Sequence, residues 1–167
     1  MIADDPFARR GWHLELAGGA AVETWEYNLD HETLFGPYAG LTYGVGKGVV
    51  LVAGWPLSYV SQRGVDAWMF GGTWGARSRI MRIGHTSLFL GLEVGAAEAD
   101  TDVPPRGTRF NFLAEGSVGA TVRMRRGVHL LTAVKWLHVS NAGLPAGRDR
   151  NPDIDALGLR TGVLIAF

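Results

Sequence analysis

The chain has 167 residues and balances 16 basic against 16 acidic side chains, which fits one domain and lacks the basic excess of a nucleic-acid binder. It contains no cysteine, which excludes disulfides, thiol chemistry and thiolate metal sites. Hydrophobic residues make up 47% and glycines number 24, yet no run approaches the roughly 20 apolar residues of a membrane-spanning helix. The first segment, Met1 to Arg10, has no apolar h-region and does not read as a signal peptide; it reads as a mature form with an added Met or as a truncated start.

Eight strand-like segments follow, at 11–25, 33–44, 49–60, 66–80, 86–99, 109–125, 128–141 and 155–167, with no helix expected between them. In the first, Trp12, Leu14, Leu16, Ala20 and Val22 share one face, and His13, Glu15 and Glu23 the other. The second and third alternate poorly. In the fifth, Leu88, Leu90, Leu92 and Val94 oppose Phe89, Gly91, Glu93 and Gly95. In the sixth, Phe110, Phe112, Val118, Val122 and Met124 oppose Asn111, Glu115, Ser117, Thr121 and Arg123. In the seventh, Val128, Leu130, Val134 and Trp136 oppose His129, Lys135 and some apolar residues. In the last, Leu157, Leu159, Val163, Ile165 and Phe167 oppose Arg160 and small residues.

One face is thus large and apolar, and the other mixes small residues with charges of both signs. A soluble barrel turns the apolar face inward and a membrane barrel turns it outward, so alternation alone does not choose. Connection lengths do. They are long after odd strands (Trp25–Thr33, Ser61–Val65, Ala99–Thr108, Ala142–Ile154) and short after even ones (Gly46-Lys47-Gly48, Ile83-Gly84-His85, Arg126-Gly127). Outer-membrane barrels pair long extracellular loops with short periplasmic turns. The last strand also ends on an aromatic, Phe167, like the strand that outer-membrane assembly machinery recognises. The expected fold is an all-β, eight-stranded antiparallel up-and-down transmembrane barrel, 1–167 forming one domain. Both termini are then periplasmic, and Glu15, Arg77, Glu93, Glu115, Lys135 and Arg160 form a mixed-charge plug in a lumen too narrow for a channel. Trp12, Trp55, Trp68, Trp74 and Trp136 suit a membrane interface.

His138 and Ser140 lie two apart on the seventh strand, on the face of Val134 and Trp136. That is the lipid face, near the extracellular end. Asp155 shares parity with Leu157 and Leu159 on the adjacent strand, within side-chain reach; Asp153 has the same parity one step further into the loop and ranks second. Ser140 as nucleophile, His138 as general base and Asp155 as its orienter follow the logic of a catalytic triad. Asn141 and the N–H groups of Ala142 and Gly143 are the expected oxyanion donors. A His-x-Ser in a strand is also commonplace, and such groups at an interface can simply be solvated. The other histidines (His13, His31, His85, His129) have no metal-ligand spacing, so no metal and no cofactor is expected.

The run His138-Val139-Ser140-Asn141-Ala142-Gly143-Leu144, followed by Asn151-Pro152-Asp153-Ile154-Asp155, resembles the signature of the PagL lipid A 3-O-deacylases. Phe110-Asn111-Phe112 through Gly119 to the basic turn, and the terminal strand, are similar too; before residue 110 the likeness is architectural. The resemblance implies cofactor-free hydrolysis of the 3-position ester of lipid A, releasing a 3-hydroxy fatty acid at the outer leaflet of a bacterial outer membrane. It implies lipid A and outer-membrane lipids as partners, His138 as base, Ser140 as nucleophile, and an oxyanion hole at Asn141, Ala142 and Gly143. The family's third member is described as Glu, where this chain offers Asp155. Arg148 and Arg150 in the intervening loop could meet lipid A phosphates, or be solvated. No nucleic-acid partner is expected, and a homodimer stays open. The competing readings are a non-catalytic outer-membrane barrel and a soluble lipocalin-like barrel.

Overall fold

The computed structural model describes residues 5–24, 31–143 and 152–167. Eight strands, β1 (Trp12–Glu23), β2 (Thr33–Gly46), β3 (Val49–Ser61), β4 (Ala67–Ile83), β5 (Thr86–Val103), β6 (Thr108–Arg125), β7 (Val128–Ser140) and β8 (Ile154–Ala166), pair antiparallel in sequence order and close through β1 and β8. The three even-to-odd turns have two residues each, Lys47-Gly48, Gly84-His85 and Arg126-Gly127, with Lys47, Gly48, Gly84 and Gly127 left-handed. Such tight hairpins need positive φ. One expected loop is mostly strand: β5 and β6 run on to Val103 and Thr108, across a register shift between Glu98 and Val103, and only 104–107 connect them.

The outer wall is apolar, with Leu92 72% and Trp74 66% exposed. The charges lie inside, which is the inside-out arrangement of a membrane barrel. Trp12 and Trp68 each start a strand but stand at opposite ends of the barrel, as girdle residues do, whereas Trp74 sits near the middle of β4.

The lumen is layered. Its middle holds the expected charges. Arg77 binds Glu15 and Glu93 (3.1 Å), and Arg160 binds Glu93 (3.2 Å) and Glu115 (2.8 Å), which also takes Lys135 (3.3 Å). Tyr38 donates to Glu93 (3.0 Å), and Arg160 stacks on the Tyr38 ring at 3.8 Å. The poor alternation of β2 and β3 has its reason here: a Cβ on Gly54 would stand 2.2 Å from the Tyr38 hydroxyl, so glycine lets the ring lie against the wall. Apolar clusters cap this layer on both sides. Phe7, Val50, Val52, Phe89, Leu131, Ala133 and Leu164 pack toward the periplasmic end. Leu34, Val60, Met69, Leu113, Leu137, Val139 and Ile154, with small neighbours, pack toward the extracellular end.

The segment 5–11, which has no strand pattern, folds into the periplasmic mouth. Phe7 is buried there, and Asp5 binds Arg79 (2.7 Å) and Arg82 (3.2 Å). Burial works against the Asp5 carboxylate, but Arg79, the Phe7 N–H and Arg82 together hold its pKa below the usual range. A depressed folded pKa means that the tie is fully present above the ordinary value of about 3.9 and is lost as pH falls through the lowered one. Hydrogen exchange of residues 7–11 is therefore expected to accelerate below about pH 4 in the wild type and to be fast already at neutral pH in Asp5→Asn. Exchange in Asp5→Asn identical to the wild type would show that the tie does not hold the segment.

Candidate active site

The register explains the site. His138 on β7 and Asp155 on β8 are direct cross-strand partners, and Ser140 is two residues beyond His138 on the same outer face. Directly opposed residues have Cβ atoms about 4.5–5.5 Å apart, close enough for a short carboxylate. His138 Nδ1 lies 3.1 Å from Asp155 Oδ1, and His138 Nε2 lies 3.0 Å from Ser140 Oγ. With Asp155 ionised, Nδ1 carries the proton, and Nε2 is left to accept from the Ser140 hydroxyl. The one-methylene difference between Asp and Glu is absorbed by this head-on pairing. Asp155, not Asp153, makes the bond to Nδ1.

Trp136 completes the cluster, and sequence reasoning missed its role. Its indole N–H donates to Asp155 Oδ1 at 3.1 Å, and its ring stacks on His138 with centroids 5.9 Å apart. The signal was its parity, since Trp136 stands two residues before His138 on the same face. Thr24 ties in the third strand, its N–H donating to the Asp155 carbonyl at 2.9 Å. On the other flank Phe112 is the β6 partner of Ser140, and its ring meets Phe110 edge-on at 5.3 Å. Below Phe112 the outer face of β6 carries only Ala114 and Gly116, opposite His138 and Trp136. Leu92 on β5 pairs with Gly116 from the far side. These small residues keep the outer wall low beside the histidine, with Trp136 and Leu92 flanking Gly116.

The expected oxyanion groups separate. Asn141 is 2% exposed, and its Oδ1 accepts the Gly143 N–H at 2.8 Å, so both serve the turn that ends β7. That is a correction for Gly143, whose donor is committed. Ala142 lies between them with φ 55°, a left-handed conformation costly for a residue with a Cβ. Arg148 and Arg150 lie outside the described residues. Donor atoms of His138, Asp153 and Asp155 fall within 4.8 Å of one another, a spacing that a cation could use in place of the hydrogen bond to His138.

Fold and site together define a class: an eight-stranded transmembrane barrel with a Ser–His–Asp cluster on its outer wall. No family model matches the chain, and no curated protein matches it. Among solved structures it is similar to Neisserial surface protein A, with 11% identity and TM-score 0.69 over 93% of this chain and 97% of that one. It is similar to OprG from Pseudomonas aeruginosa, with 14% identity and TM-score 0.62 over 98% and 99%. The attachment invasion locus protein Ail of Yersinia pestis matches with 10% identity and TM-score 0.57 over 96% and 100%. At such identities the likeness is one of architecture.

Proposed function

We propose that this barrel is an outer-membrane esterase that removes the acyl group at the 3-position of lipid A. The observation that carries this reading is the unbroken chain from Asp155 through His138 to Ser140 on the wall that meets lipid rather than in the lumen. A soluble substrate has no reason to visit an apolar wall, whereas an acyl chain of a neighbouring lipid can lie over Ala114 and Gly116. The resemblance of 138–144 and 151–155 to the PagL signature supports lipid A as that lipid.

In this mechanism Ser140 Oγ attacks the ester carbonyl while His138 Nε2 takes its proton. Asp155 holds the imidazole in the needed tautomer and stabilises the imidazolium. The Ala142 N–H follows the nucleophile and is the oxyanion donor of choice among the three expected groups. His138 then protonates the leaving sugar oxygen, and a water activated by the same nitrogen frees the fatty acid.

Mass spectrometry of lipid A incubated with the purified protein is the test. Loss of one 3-hydroxyacyl group is expected, and unchanged lipid A with every acylation pattern tried would overturn the reading. Chelation by EDTA is expected to leave the rate unchanged. A rate restored only by added divalent metal would instead favour a cation at His138, Asp153 and Asp155. Trp136→Phe keeps the ring and removes the donor to Asp155, so kcat is expected to fall about tenfold with KM little changed, as losing a bond to a charged group worth ~1.5 kcal/mol predicts. A wild-type kcat in that variant would remove Trp136 from the site.

A further inference from the structure

The periplasmic mouth contains a second built site, independent of the esterase reading. A cavity of about 220 Å³ opens there, several times the roughly 30 Å³ share of one water. Arg82 on β4 and Arg123 on β6 stand at its rim with His85 from the β4–β5 turn, all three exposed. Its floor is polar. Ser87 and Thr121 are cross-strand partners facing inward, 5% and 2% exposed, and both line the cavity. The one carboxylate lining the cavity, Asp5, lies against Arg79 and Arg82.

The charge around this mouth points the same way. Arg9, Arg10, Lys47, Arg125 and Arg126 are exposed at this end of the barrel, and Asp5 is the only acidic side chain there among the described residues. The described acids outside the lumen otherwise gather at the opposite end, among them Glu98, Asp100, Asp102 and Asp153. The field at the mouth therefore draws anions in.

We propose that this cavity binds a phosphate group, with Arg82 and Arg123 gripping it from the rim and Ser87 and Thr121 donating from the floor. Two guanidinium groups, the imidazoles of His85 and His129, and two hydroxyls line it from several directions. A planar carboxylate offers two oxygens to such a set, whereas a tetrahedral phosphate offers three or four and suits the arginine fork. The ligand enters from the periplasm, as a soluble phosphate ester or as the headgroup of an inner-leaflet phospholipid.

The test uses the detergent-solubilised barrel, titrated by calorimetry and ³¹P NMR with inorganic phosphate, glycerol 3-phosphate and acetate at one ionic strength. Saturable binding of the two phosphates, at least tenfold tighter than acetate, is expected. Arg82→Ser with Arg123→Ser is expected to weaken it tenfold or more. Ser87→Ala is expected to weaken it severalfold, whereas Arg109→Ser, at the opposite end of the barrel, changes it less than twofold. Binding that saturates with the soluble phosphates names a soluble ligand. Binding seen only in nanodiscs containing phosphatidylglycerol, and lost in the Ser87→Ala barrel, names the headgroup; either supports the site. No phosphate binding in either setting, acetate binding as tight, or a Ser87→Ala barrel equal to wild type overturns it.

Discussion

Ser140→Ala is expected to reduce release of the 3-hydroxy fatty acid by about 10³-fold or more, because members of a triad act as a unit and loss of the nucleophile leaves only substrate binding and oxyanion contacts. The same change is expected to leave the barrel folded. The Ser140 hydroxyl bonds His138, a contact with a net worth of about 1 kcal/mol, and the backbone pairing with Phe112 is untouched. The measurement is paired: mass spectrometry for the product, and far-UV circular dichroism with the mobility shift of folded against boiled protein for the barrel. A folded Ser140→Ala variant that still deacylates at the wild-type rate would sink the mechanism. His138→Ala is expected to match it in size, since without the imidazole Ser140 has no base.

Arg160→Met is expected to carry the largest cost in stability. Arg160 is 5% exposed and reaches Glu15, Glu93 and Glu115, while Arg77 holds Glu15 and Glu93. Its loss leaves Glu115 to Lys135 alone and takes the cation from the face of Tyr38. Removing one partner of a buried ionic group costs about 3–5 kcal/mol, because the remaining charge is stranded. Urea unfolding in lipid vesicles reads this directly, as a lower midpoint with an unchanged slope. The double variant Arg160→Met with Glu115→Gln is expected to recover part of the loss. A single variant as stable as wild type would mean that the layer orders the lumen without stabilising it.

The strands are legible in the sequence because their turns are. Two residues with glycine between alternating runs leave little choice at Lys47-Gly48, Gly84-His85 and Arg126-Gly127. The lumen side of β2 and β3 is not legible, because the space there is claimed by Tyr38, whose reach to Glu93 spans 55 positions. Nor is the mouth segment, since a chain that packs Phe7 without periodicity looks like any polar terminus. At the site, parity alone places His138, Ser140 and Asp155 on one face. What parity lacks is register, and register is what sets His138 opposite Asp155 and lets an aspartate do the work of a longer acid. Gly143 shows the reverse error: close to a nucleophile in sequence, its N–H is spent on closing a turn.

The sandwich inside the barrel has an electrical consequence. An ion crossing the lumen would leave water at the first apolar cap, pass Phe89 and Leu131, meet six fixed charges of balanced sign, and then cross a second apolar cap at Val139 and Ile154. Each cap imposes a dehydration barrier of several kcal/mol, and the balanced middle offers neither sign an attractive well. The molecule is an insulator threaded through the membrane, so its two charged ends sense the two aqueous compartments separately.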